Sequence, residues 1–356
     1  MSTPSPTYPV PAPSSQRYTW RLLRAASFRL DGGSMFGLIP RSVWSRTAVP
    51  DEKGRIQVQH NCLLLEPAPS PAPAANPSTA ASETSTKALS KIVPKRLLIE
   101  VGTGDKLDQK SRDIFMMENR SITDALAEVS VPLESIDAVV VSHLHFDHAG
   151  GLTRLCKPGE TPDWTGPAST MAGARPDHGV KLTFPNARVH TQQREWTDAI
   201  ADKSVMTRTY FRDHLEPIRD RIVPVDSPRP FPSGYVPDRD ELPRGGVELR
   251  ETEVLPGVSV FLVPGHTWGQ QAIKFTDQAG NVIVFTPDVM PTMWHSGAAY
   301  SLGYDVEPYT SMISRRWFLT EAAKHNWLLC LDHEPGNPLC RVRENAKGWF
   351  DLVVEG

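Results

Sequence analysis

Apolar residues along this chain fall in short runs bounded by glycine, proline and polar turn formers, a pattern of strands more than of helices. Arg21 to Leu30 reads as a first strand, turned by Asp31-Gly32-Gly33. Ile56 to Glu66 reads as a second strand, and Arg96 to Val101 as a buried third. Ala138-Val139-Val140-Val141 is small or β-branched throughout and reads as a further buried strand, which Ser142 closes. Arg188 to Thr191, Val258 to Val263, Asn281 to Val284 and Trp327 to Cys330 extend the series. Helical spacing is rarer. Ile122 to Val129 predicts a helix, with Ser121 or Thr123 as its cap and Leu126 and Val129 on one face. Gln193 to Ala201 predicts a second helix. Thr310 to His325 predicts the longest, with Ile313 and Trp317 one turn apart on its inner face.

Several stretches break the pattern. Residues 1–18 are rich in proline and serine, lack the apolar core of a secretory signal, and read as a disordered tail. Pro67 to Lys91 is dense in Ala, Pro, Ser and Thr without an aromatic residue, which predicts a flexible insert between two strands. Lys157 to Leu182 holds Gly, Pro, Asp and Ser in excess. A loop of that length is either a lid over a site, with Trp164 as its tip, or a plain connection. Pro224 to Gly246 is another proline-rich connection. The expected division is a tail over 1–18 and one domain over 19–356. Strands and helices do not alternate strictly, so mixed sheets covered by helices fit better than a β-α-β wrap.

Composition narrows the function. A net charge of -3 offers no basic field for nucleic acid. No apolar run approaches the roughly 18 residues that span a membrane. Cys62, Cys156, Cys330 and Cys340 are scattered, and none forms a close pair. Cys62 and Cys330 fall in predicted strands as buried hydrophobes. A reducing, cytoplasmic setting is the expectation.

The chemistry is concentrated at strand ends. His143-Leu144-His145-Phe146-Asp147-His148 follows the Ala138 strand directly and precedes Ala149-Gly150-Gly151. A compact turn can fan four metal-capable side chains around a point, which a regular strand or helix cannot. Imidazole with carboxylate suits zinc, and iron or manganese also fits. His266 follows Val258 to Val263, Asp288 follows Asn281 to Val284, and His333 follows Trp327 to Cys330. Loops at strand ends converge on one edge of a sheet and commonly carry sites.

With these pieces in order, the chain resembles the metallo-β-lactamase-fold hydrolases over nearly all of residues 19–356, most closely the lactonase and organophosphate-hydrolase-like branch. The matching residues are Glu100-Val101-Gly102-Thr103-Gly104, the hexapeptide at 143–148, Gly265-His266, Asp288 and His333. The resemblance implies an α+β, four-layer αββα sandwich with metals along one edge. It implies two zinc ions, one held by His143, His145 and His266 and the other by Asp147, His148 and His333, with Asp288 between them. By formal count such a centre with one hydroxide is about +1 and favours an anionic transition state. It implies a bridging hydroxide that attacks a lactone, ester or related phosphoryl group, with Asp147 as a proton shuttle. One departure stands out: the family often has Asp where this chain has Glu100, a residue that supports the ligand loop.

Met35, Phe36, Trp268, Met293, Trp294, Tyr300 and Tyr304 are candidate pocket walls for an acyl or aryl substrate, with His295 nearby. Tyr300 or Tyr304 is the expected phenol donor to a carbonyl oxygen. The expected partner is a small molecule, with no nucleic acid or membrane, and a homodimer is compatible with the chain. Two other readings compete: an iron-dependent thiol-oxidising enzyme of the same fold, and a non-catalytic scaffold. Intact ligands speak against the scaffold, because unpaired buried polar groups are costly.

Overall fold

The computed structural model describes residues 14–69, 93–168, 178–201, 208–231, 247–297 and 299–356. Numbered in chain order, the strands form three sheets. The first has the order β1 (Tyr18–Asp31), β2 (Arg55–Pro67), β3 (Leu97–Ile99), β4 (Ala138–Val140), β8 (Arg188–Gln192) and β9 (Ile222–Val225). The second runs in chain order through β10 (Thr252–Leu255), β11 (Val258–Leu262), β12 (Gln271–Thr276), β13 (Val282–Thr286), β14 (Leu328–Leu331), β15 (Leu339–Glu344) and β16 (Phe350–Val354). A small third sheet has the order β5 (Thr153–Leu155), β7 (His178–Leu182) and β6 (Trp164–Gly166).

The alternation of side chains along the strands builds the layers. Leu63, Leu65, Leu97, Ile99, Ala138 and Val140 face inward from the first sheet and meet Val258, Val260, Ile273, Phe275, Ile283 and Phe285 of the second. The residues between them point the other way. Leu64, Leu98, Val139 and Val189 pack on the helix Ile122–Glu128 and on Trp196 and Ala199 of the helix Gln193–Ile200. Phe261, Val284 and Leu329 pack on Ile313, Trp317 and Phe318 of the helix Pro308–His325. Helix, sheet, sheet, helix is the expected αββα sandwich, and buried Cys62 and Cys330 belong to its strands.

Parallel pairing sets the site edge. Strands β3, β4, β8 and β9 are mutually parallel, as are β13 and β14. Glu100 follows β3, His143 follows β4, Asp288 follows β13 and His333 follows β14. Their loops therefore leave on one edge.

Two local expectations are corrected. Asp31-Gly32-Gly33 is the start of a short helix, Gly32–Phe36, whose cap is Asp31: its Oδ1 accepts from Ser34 N at 2.7 Å. Within Lys157 to Leu182, β6 and β7 pair with each other, and β7 also pairs with β5, so Trp164–Gly166 and His178–Leu182 are sheet and not loop, while residues 169–177 lie outside the described residues. Of the tail read over 1–18, residues 1–13 lie outside the described residues, as do 70–91 of the insert and 232–246 of the proline-rich connection; Tyr18 is buried and opens β1.

Candidate metal centre

The loop after β4 is held from below. Gly150 and Gly151 press on the turn at 101–104 so closely that a Cβ on Gly150 would lie 2.0 Å from the Thr103 carbonyl oxygen, and one on Gly151 2.2 Å from that of Val101. Glu100 reaches the same loop: its carboxylate accepts from Ser142 N and faces His148 Nδ1 at 3.1 Å. The departure from the family pattern thus keeps a carboxylate on the ligand loop. Glu100 does so from a left-handed backbone, φ 66°, which costs a side-chain-bearing residue on the order of 1–3 kcal/mol.

The ligand candidates gather in two groups of side-chain atoms, each within 4.8 Å of one another: His143, His145 and His266, and His148, Asp288, Asp332 and His333. Asp288 lies between the groups. Its Oδ2 is 3.0 Å from His266 Nε2, and its Oδ1 is 3.4 Å from His333 Nε2. Asp147 stands at the pocket side, with Oδ1 3.8 Å from His148 Nε2 and Oδ2 3.6 Å from His333 Nε2. Asp332 is on the opposite side of His148, 3.0 Å from Nδ1. It therefore backs the imidazole where Asp147 faces its free nitrogen. The sequence reading missed Asp332, although it directly precedes His333.

The outer nitrogens fix ring orientation. His143 Nδ1 meets Ser142 Oγ at 3.0 Å, His266 Nδ1 meets Asp305 Oδ1 at 2.9 Å, and His333 Nδ1 meets the Gln59 carbonyl oxygen at 3.1 Å. The inward atoms are left without partners: His143 Nε2, His148 Nε2, His333 Nε2 and Asp288 Oδ1 are buried and make no hydrogen bond. Stranded buried polar atoms that converge are costly unless something binds them. Nitrogen and carboxylate donors at these spacings fit divalent ions.

Electrostatics agrees. Burial, then neighbouring imidazoles, push His143 and His145 well below the ordinary histidine range, so their lone pairs are free at neutral pH. At His266 burial opposes charge, but Asp288 and Asp305 outweigh it and raise the pKa to about 10. An environment that holds a proton so firmly also favours a metal cation in its place.

A cavity of about 660 Å³ opens over this floor, where His145, Asp147, His266, Asp288 and His333 are exposed to it. Of the expected walls, Met35, Trp268 and Tyr304 line it. Tyr300 does not: its ring packs against Phe36 and His295, 5.9 and 6.0 Å between centroids, in an apolar cluster that also takes Trp294. Phe36, Met293 and Trp164 are not among the lining residues either. Walls unforeseen from sequence are Leu30, Phe115, Phe146, Arg208, Tyr210 and Val306. Hydrophobicity next to the ligand hexapeptide was the available signal for Phe146. Phe115 and Tyr210 arrive from distant segments.

The family model for the metallo-beta-lactamase superfamily matches residues 95–287, more than half of the chain. No curated protein matches it. Similar solved structures include a probable metal-dependent hydrolase from Staphylococcus aureus, 19% identical, covering 95% of this chain and 97% of that one with a TM-score of 0.66. Hydrolase AbOPH of the beta lactamase superfamily is 15% identical, with 98% and 99% coverage and a TM-score of 0.61. The dizinc quorum-quenching lactonase AidC, in complex with a product, is 16% identical, with 96% and 98% coverage and a TM-score of 0.60. The match takes in His143, His145, Asp147, His148 and His266 and more than half of the chain, and the chain belongs to the metallo-beta-lactamase superfamily.

Proposed function

We propose that this chain is a hydrolase that holds two divalent metal ions, zinc foremost, and cleaves esters or lactones with an apolar acyl or aryl portion. The observation that carries the proposal is the set of four buried donor atoms without a hydrogen bond, on His143, His148, Asp288 and His333, the last two of which open on an apolar-walled cavity. His143, His145 and His266 would hold one ion, Asp147, His148 and His333 the other, and Asp288 would touch both. When bound, such ions lower the pKa of water toward ~7 and polarise a carbonyl or phosphoryl oxygen.

The chain's own groups do the rest. Leu30, Met35, Phe115, Phe146 and Trp268 give the apolar part of a substrate a surface that excludes water. The Tyr304 phenol, on a residue that lines the cavity and is also open to solvent, is a hydrogen-bond donor from the wall. The Asp147 carboxylate opens on the cavity, where it can take up a proton and pass it to a departing alkoxide. The lactonase with bound product among the structures of like fold adds support for the substrate class.

The test is metal analysis by plasma emission on purified protein, with a panel of lactones, aryl esters and phosphotriesters. Two zinc per chain and turnover of apolar esters or lactones are expected. About one iron per chain, visible absorption and no hydrolysis would overturn the proposal in favour of thiol oxidation.

A further inference from the structure

Glu195 is fully buried at the start of the helix Gln193–Ile200, yet it faces neither the cavity nor a cation. Its Oε1 accepts from the backbone nitrogen of Leu144 and from the Tyr210 hydroxyl, both at 2.9 Å. Its Oε2 accepts from the Thr267 hydroxyl at 2.6 Å. Each donor is a neighbour of the site. Leu144 lies between His143 and His145, and Thr267 follows His266. Tyr210 lines the cavity, its ring 5.1 Å from that of His145. The helix start comes this close because residue 269 is glycine; a Cβ there would lie 2.5 Å from the Glu195 backbone nitrogen.

We propose that Glu195 is a positioning residue that joins three things: the loop carrying His143 and His145, the loop carrying His266, and the cavity wall at Tyr210. A buried carboxylate with three charge-assisted hydrogen bonds is a stiff joint. It fixes the separation of the two loops that together carry one donor group, and it does not touch the group formed by His148, Asp288, Asp332 and His333. The hexapeptide loop also carries Asp147 and His148, but the arm to Thr267 bears only on the loop of His266, which serves the first ion alone; through that arm the effect is one-sided. Through Tyr210 the same carboxylate sets the position of one wall, so substrate fit and ion affinity can be separated arm by arm.

This rests on the metal-binding part of the proposed function. The experiment titrates metal-free protein with Zn²⁺ against a chromophoric chelator and, in parallel, measures hydrolysis of p-nitrophenyl butyrate. Thr267→Val removes the arm to the His266 loop. Glu195→Gln keeps the reach but replaces the acceptor facing Thr267 with a donor. Each is expected to weaken one of two binding steps by roughly 10–100-fold and leave the other as in the wild type. Tyr210→Phe removes only the wall arm, and it should leave both steps unchanged while KM rises roughly three- to tenfold at nearly constant kcat. Wild-type affinity in both steps for Thr267→Val, or equal weakening of both, would overturn the proposal. Thr267→Val decides the matter if Glu195→Gln does not fold. Absence of ester hydrolysis with the one-sided metal effect intact would sink the substrate assignment and leave the role of Glu195 standing.

Discussion

At the scale of single residues, the informative cases are carboxylates whose partners decide what they do. Glu100 accepts from Ser142 N with one oxygen and faces His148 Nδ1 with the other. Glu100→Gln places an amide against that ring nitrogen. Either the imidazole turns or its proton moves to the inward nitrogen, and metal affinity should fall about 10–100-fold in a Zn²⁺ titration. Asp288→Asn removes the negative charge between the donor groups. Loss of one metal by plasma emission and a fall of at least ~100-fold in kcat are the expected outcomes. Asp105→Asn is the control: its carboxylate is exposed and accepts from Leu155 N, at 3.1 and 3.3 Å, away from both donor groups, so metal content should not change. Retention of both metals by Asp288→Asn would refute its placement between the ions. The histidines and Asp288 were legible because each follows a strand that hydrophobicity alone announces. Asp332, Glu195 and Tyr210 were not. Gln193 to Ala201 reads as a helix, as found, but nothing in its polar first turn marks Glu195 as buried; that follows from the close approach of Gly269. Tyr300 misled for the opposite reason, since closeness in sequence to Trp294 and Tyr304 does not determine which side of the loop a ring takes.

At the scale of elements, the helix Pro308–His325 shows how packing outruns periodicity. Arg315, Arg316, Ser311 and Ser314 are buried along with Trp317 and Phe318, so the helix has little one-sided apolar stripe to recognise. Arg315 survives burial by donating to the carbonyl oxygens of Val289, Gly297 and Tyr300, which ties the loop after β13 to the helix. Trp317 is 1% exposed, with Phe231 and Phe261 edge-on to it at 6.3 and 6.0 Å. Trp317→Ala should cost about 3–5 kcal/mol in urea unfolding, and a loss below ~1 kcal/mol would show that the helix is not anchored there. The strands β15 and β16 escaped sequence reading. In β15 the inward Cys340 and Val342 alternate with Arg341 and Arg343, and basic residues at every second place disguise a strand paired on both sides as a polar tail. Sheet β5–β7–β6 was hidden by its length, since three-residue strands among glycines and prolines leave no period to count.

At the scale of the whole molecule, the inner faces of both large sheets make one shared core. Neither sheet can leave without exposing it. Far-ultraviolet and tryptophan signals should therefore follow one transition on denaturation, and two separated transitions would argue for independent halves. Chelation should lower the midpoint, because ions that bind only the folded state add about 2.7 kcal/mol per site at a concentration 100-fold above Kd. Zn²⁺ should restore it.

The arrangement of donors at the ends of β4, β11, β13 and β14 has a consequence for time. His143 and His333 are far apart in sequence and belong to different sheets, so the two donor groups exist only once the sheets have docked. Contacts of such long range form late. An ion cannot template the fold from the start; it can only hold the result. Refolding followed by stopped flow should proceed at the same rate with and without Zn²⁺, while unfolding slows in its presence, the signature of an interaction absent from the transition state. Metal would then govern how long each folded molecule lasts and not how quickly it forms.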